Sequence, residues 1–384
     1  MARAMRSYAM LLAMPFLLGA IFCLALIVWD PLDLRPWGEP VKLAERPYPM
    51  LVRPLLAATL THNAKSVVLI GTSTAIAISD QQLNRLEDRK GAANLSVVMQ
   101  RAPDGIMAMH EAVRTPALRR IVIEVSHIWL YGAEASGEPG RRLDRAYHPR
   151  WYDLPAFDRE IIRAGLAARI DRRFWIPEWE EQTARFRPSM QVELLPAQLG
   201  DVRRALYAAT PADFSPGPTP ADCSGFGALS AALADTLAVA RERNIAVDVY
   251  FSPIPFASLP LMATQQADFF AAYGIKEPFF APLMAMHRCV VGQVAAQGSP
   301  KMVVHALDAD PAIVGDLRGM RDPLHYSMAF KNDLIIDDIG ARQMILTPEN
   351  FEAYRDRLRQ GILAAIDYGV PPSAPPAPAD TIGG

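Results

Sequence analysis

Five short aliphatic runs limit what this chain can fold into. They are Ser66-Val-Val-Leu-Ile-Gly71, Asn94-Leu-Ser-Val-Val98, Arg120-Ile-Val-Ile-Glu-Val-Ser126, Ile245-Ala-Val-Asp-Val-Tyr-Phe251 and Lys301-Met-Val-Val-His-Ala-Leu307. Runs this continuous in β-branched residues mark strands buried on both faces. Strands alternating with helical stretches imply a parallel sheet covered on each side. The expected fold is a three-layer α/β/α domain with a parallel sheet, spanning residues 66–368. The first run stops at Gly71 and Ser73 follows at once, which puts a serine at the apex of a strand-to-helix turn. In open sheets of this kind, ligands bind beyond the carboxyl ends of the strands.

The segments around this core differ in character. Residues 8–29 are apolar without a charge, and Arg3 and Arg6 precede them. That is about the 20 residues a spanning helix needs. A secretory signal has a shorter apolar region of about 7–15 residues. The expectation is a transmembrane helix over residues 1–29, with the N-terminus in the cytoplasm and the main domain outside it. Residues 30–65 are studded with prolines and read as an extended connector. Asp80 is the expected cap of a helix over 81–89. Residues 132–220 interrupt the strand–helix alternation with arginines interleaved with aromatics, among them Arg150, Trp151, Arg173 and Trp175. They form a helical insertion, with helices expected at 155–172 and 191–208. The insertion is either a solvated layer on the main domain, a lid over the crevice, or a surface that meets headgroups or a polyanionic chain. The Pro/Ala/Gly-rich residues 369–384 read as a disordered tail. Outside the cytoplasm, Cys223 and Cys289 form either a disulfide or two separately buried thiols.

Composition excludes several classes of function. The 384 residues carry a formal net charge of -2, which argues against a nucleic-acid partner. No two histidines or cysteines fall at metal-ligand spacing, and no glycine-rich nucleotide motif is present. No metal or cofactor is expected. His110, His287 and His305 read as packed or surface side chains, and Glu124 as a paired carboxylate rather than an acid catalyst.

Chemistry points to two places at strand carboxyl ends. Nucleophilic catalysis by serine needs a base within hydrogen-bond reach and a group that orients the base. Ser73 follows the first strand, and Asp322-Pro-Leu-His325 lies in a loop after the fifth. An Asp and a His three apart on one short loop let the carboxylate hold one ring nitrogen while the other faces the serine. Gly71-Thr72-Ser73, Asn94-Leu95-Ser96-Val97 and Asp322-x-x-His325 before a C-terminal helix resemble, in kind and order, the SGNH (GDSL-type) hydrolase superfamily. The chain is similar to its membrane-anchored branch, which includes alginate acetylation proteins and the D-alanyl transfer protein of teichoic acids.

The resemblance implies a flavodoxin-like fold with Ser73 as nucleophile, His325 as base and Asp322 as its orienter. It also implies an extracytoplasmic serine acyltransferase or esterase at the bacterial inner membrane. The acceptor would be a polysaccharide, acetyl the acyl group, and a membrane-bound O-acyltransferase the partner that supplies it. The chain departs from the family pattern where oxyanion donors are usual. Val98-Met99-Gln100 stand in place of a glycine, and Ser126-His127 in place of an Asn or Asp. Met99, Gln100, Ser126 and His127 are therefore the candidate oxyanion or supporting groups. Losing one such donor costs about 10²–10³ in rate, so a non-catalytic glycan-binding or assembly subunit is the alternative expectation.

Overall fold

The computed structural model describes residues 13–21, 24, 65–87, 91–96, 102–130, 194–216, 223, 226–265, 279–320, 322–326 and 331–368. Six strands, β1 Val67–Ile70, β2 Ala92–Asn94, β3 Arg120–Val125, β4 Ala246–Phe251, β5 Met302–His305 and β6 Ile345–Leu346, build one sheet. Their order is β2-β1-β3-β4-β5-β6. Pairings from β1 to β5 are parallel, but β6 runs antiparallel to β5. The wholly parallel sheet expected from sequence is thus corrected to a mixed, mostly parallel one. The cause is a tight return: Arg342 and Met344 adopt left-handed φ values of 55° and 52° and turn the chain back along β5 instead of crossing the sheet. A two-residue strand has no apolar run by which to announce itself.

The helices are α1 Asp80–Leu83, α2 Ala102–Arg114, α3 Pro196–Ala208, α4 Gly227–Glu242, α5 Leu259–Gln265, α6 Phe280–Ala295, α7 Lys331–Ala341 and α8 Phe351–Tyr368. Helix α4 packs between α2 and α6, while α1 packs against α7. The chain leaves β1 for one edge and then crosses back to β3. Right-handed crossovers therefore place α1 on the opposite face from α2, α4 and α6. All four residues of β1 and Ile121, Val122 and Ile123 of β3 are fully buried. Each such side chain contributes roughly 1.5–3 kcal/mol relative to exposure. The reversal of strand order between β1 and β3 opens a crevice at their carboxyl ends.

Three other expectations change. No helix among the described residues is long and apolar enough to cross a membrane. Within residues 8–29 the described positions, 13–21 and 24, are helical, and the remainder of that segment lies outside the described residues. The expected transmembrane helix is corrected accordingly. Strand β2 is Ala92–Asn94 and Leu95 and Ser96 lie beyond it, while residues 97 and 98 of the expected strand lie outside the described residues. Ser79, not Asp80, caps α1, in a reciprocal capping box with Gln82, and Asp80 instead accepts from the Asn94 N–H at 2.8 Å. The connector at 30–64, the segment 131–193 with its expected helix at 155–172, and the tail lie outside the described residues. The helix expected at 191–208 is present as α3, packed on α5 and α8.

Cys223 and Cys289 form a disulfide across 66 residues, which joins the chain just ahead of α4 to the middle of α6. Closing a loop of that length removes unfolded-state entropy worth about 4 kcal/mol on the chain-entropy model. The paired substitutions Cys223→Ser and Cys289→Ser should therefore lower the unfolding free energy in urea by about 2–5 kcal/mol, and reduction of the wild type should do the same. An unchanged midpoint would mean the bridge contributes nothing.

Candidate active site

The turn after β1 is held by a carboxylate inside the sheet. Glu124, the fifth residue of β3, is fully buried and takes four hydrogen bonds. The Thr72 N–H and hydroxyl donate to Oε2 at 2.6 and 3.1 Å. The Thr74 hydroxyl and the Ser252 hydroxyl, the latter at 2.7 Å, donate to Oε1. No cation among the described residues pairs with it. Neutral donors from the ends of β1 and β4 thus offset the cost of burying the charge. Gly71 sits directly against this group. A Cβ there would lie 2.7 Å from Glu124 Oε2 and 2.8 Å from Ala75 Cβ, so only glycine lets the turn close on the carboxylate.

With Thr72 and Thr74 turned inward to Glu124, Ser73 between them faces outward and is only half-buried. A second tether fixes the far side of the turn. The Asn94 amide donates to the carbonyls of Ala75 and Ile78 at 2.8 and 2.6 Å, and its oxygen accepts from the Ser96 N–H at 2.9 Å. The Ser73 backbone N–H donates to no acceptor among the described residues, which leaves it available beside its own hydroxyl.

The structure brings Ser73, His325 and Asp322 together. His325 Nε2 lies 2.8 Å from Ser73 Oγ, and His325 Nδ1 lies 2.7 and 2.9 Å from the two Asp322 oxygens. A carboxylate can only accept, so Nδ1 carries the ring proton and Nε2 is left as the acceptor of the serine O–H. Asp322 Oδ1 also accepts from the N–H groups of Leu324 and His325, each at 3.0 Å, which locks the four-residue loop. The loop is anchored on both sides. Met320 bridges Tyr326, the Tyr326 hydroxyl donates to the Pro253 carbonyl beyond β4, and Lys331 Nζ stands 5.3 Å over the Tyr326 ring.

Ser126 and His127 are placed differently. The Ser126 hydroxyl, fully buried, contacts His127 Nδ1 at 3.2 Å and accepts from the Ile128 N–H at 3.4 Å. His127 packs edge-on to Phe279 and lines a small cavity with Ser252, His287 and Asp308. Neither bonds the Ser73–His325 pair, so both are supporting groups behind the crevice. Burial, and then the nearby His325, push the His127 pKa down to about 3, which keeps the ring neutral. Met99 and Gln100 lie outside the described residues.

His287 and His305 are indeed packed. His287 stacks on Phe251 at 3.5 Å and contacts the Tyr354 hydroxyl at 2.7 Å. His305 lies 3.1 Å from Asp248. No cluster of His, Cys, Asp or Glu among the described residues could hold a metal.

Sequence reading did not find the clamp of Thr72, Thr74 and Ser252 around Glu124. The signal was there to see: one acid inside an aliphatic strand, and hydroxyl residues just beyond two other strands. Compared with known proteins, the chain matches no family model, no curated protein and no solved structure.

Two outcomes follow from that geometry. Gly71→Ala should displace the turn and lower the reactivity of Ser73 towards a fluorophosphonate by on the order of 10²-fold; a variant that labels like wild type refutes the clamp. His127 takes up a proton near pH 6.5 when unfolded and near 3 when folded. Between those values the unfolded state binds more protons, so this group contributes stability that is lost as pH falls from 6.5 towards 3. The thermal midpoint of His127→Asn should decline less than that of wild type over the same range.

Proposed function

We propose that this chain is a serine acyl-transfer enzyme that works on carboxylic esters through an acyl-Ser73 intermediate. The observation that carries the proposal is the unbroken chain of hydrogen bonds from Asp322 through His325 to Ser73, standing at the reversal of strand order. Ser73 Oγ attacks the ester carbonyl as its proton passes to His325 Nε2, and Asp322 stabilises the resulting imidazolium. The negative charge that develops on the carbonyl oxygen faces the Ser73 N–H, a preorganised donor on a turn that Glu124 holds in place. Collapse expels the alkoxide, which takes the proton from Nε2. The acyl group then passes to a second hydroxyl or to water by the same steps in reverse.

The resemblance drawn from the sequence supplies the acceptor class, a sugar hydroxyl of a cell-envelope or secreted polysaccharide. It also supplies the acyl group, acetyl, and the partner, a membrane-bound O-acyltransferase that delivers it. The Cys223–Cys289 bridge supports work outside the reducing cytoplasm. A second reading, a glycan-binding or assembly subunit without catalysis, is favoured by one observation: Ser126 and His127 are turned inward and offer no donor to the crevice.

Labelling separates the two. A fluorophosphonate should modify Ser73 in the full chain, Ser73→Ala should abolish the label, and Asp322→Asn should slow turnover of a short aryl ester by about 10⁴-fold. Absence of label on a folded wild-type chain, with glycan binding retained, would establish the non-catalytic subunit instead.

A further inference from the structure

The opposite end of the sheet carries a second polar cleft that the acyl-transfer site does not use. It occupies about 290 Å³ at the amino ends of β3, β4 and β5. Arg119 precedes β3 and Arg120 opens it, Asn244 precedes β4 and Ala246 opens it, Lys301 immediately precedes β5, and Arg342 lies between α7 and β6. Glu87 and Asp248 complete the lining.

Charge is unevenly spent here. Both carboxylates are taken by a single cation: Arg120 bonds Glu87 and Asp248, each at 3.0 Å. Asp248 is further held by His305 at 3.1 Å. Among the described residues, Arg119 and Arg342 donate only to backbone carbonyls, those of Leu118 and Pro300. Lys301 Nζ meets no carboxylate among the described residues. All three are exposed. Four cations and two carboxylates among the described lining residues leave an excess of positive charge in one concave site, on a chain whose formal net charge is -2. A concave wall of one sign focuses the field and raises the local concentration of counter-ions. Two guanidinium groups and an ammonium present the forked and point donors that suit oxyanions.

We propose that this cleft binds an oxyanion group, phosphate or carboxylate in class, with Arg119, Lys301 and Arg342 as its ligands. Arg120 with its two carboxylates forms the rigid floor. The volume exceeds that of one small ion, so the group can be free or carried on an anionic sugar of a chain that lies along this face. The proposal stands apart from the acyl-transfer chemistry, because the two sites lie at opposite ends of the strands.

Binding of inorganic phosphate by equilibrium dialysis, and of a hexameric galacturonate by calorimetry, tests it on the full chain at low ionic strength. One saturable site per chain is expected for at least one probe. Affinity should fall as sodium chloride is added, and Ser73→Ala should bind as wild type does. Loss of a charge-assisted bond costs about tenfold in affinity. Lys301→Gln should therefore weaken binding by about that factor, and Arg119→Ala with Lys301→Gln by more, with thermal midpoints held. Saturation by phosphate alone identifies a free ion. Tighter binding of the oligomer, with displacement of phosphate, identifies a glycan-borne group. If neither probe saturates, or Lys301→Gln binds both as wild type does, the proposal falls, and the cations serve only to offset the helix C-termini at this end of the sheet.

Discussion

The buried carboxylate of Glu124 is the contact on which the arrangement at the carboxyl end of the sheet depends. A charge in the middle of an aliphatic strand is costly unless donors surround it. Here the donors are the N–H of Thr72 and the hydroxyls of Thr72, Thr74 and Ser252. Satisfying the carboxylate therefore draws the ends of β1 and β4 onto β3. The same bonds turn Thr72 and Thr74 inward and leave Ser73 pointing out, so the orientation of the candidate nucleophile follows from the solvation of a different residue. Gly71 completes the logic, since any larger residue would collide with the carboxylate that organises the turn.

His325 arrives by an independent route. The Asp322–His325 loop is tied by its own N–H groups to the Asp322 oxygen and anchored to the end of β4 through Tyr326. Two rigid supports, one built on β3 and one beyond β4, thus meet at the 2.8 Å contact between Ser73 and His325. Preorganisation of this kind reduces the reorganisation that a proton transfer would require.

Behind the crevice, burial sets the protonation of a second group of side chains. His127 and His287 are both held neutral by desolvation. Asp308, whose Oδ2 accepts from Tyr354 at 2.7 Å, has its pKa raised to about 7 by the same cause. Between about pH 3 and 7 His127 is neutral and Asp308 protonated, so these side chains add no charge to the wall behind the Ser73–His325 pair. At the far end of the strands the pattern inverts. There Arg119, Lys301 and Arg342 are exposed and pair with no carboxylate among the described residues, which suits capture of an anion rather than transfer of a proton.

The sequence by itself determined the alternation of strands and helices, because continuous aliphatic runs have no stable place except a sheet covered on both faces. It also singled out Ser73, Asp322 and His325, which the structure brings into hydrogen-bond contact, since residues at strand carboxyl ends converge by topology. Several features were settled only by the tertiary structure. The antiparallel β6 depends on two left-handed residues that carry no sequence pattern. The Cys223–Cys289 bridge depends on α4 and α6 being neighbours. Ser126 and His127 looked like donors by position and proved to be turned away, because a hydroxyl bonded to its own chain and a ring packed on Phe279 are decided by what surrounds them. The Glu124 clamp is the clearest case: four donors from segments far apart in sequence become one site only when parallel strands place their ends side by side.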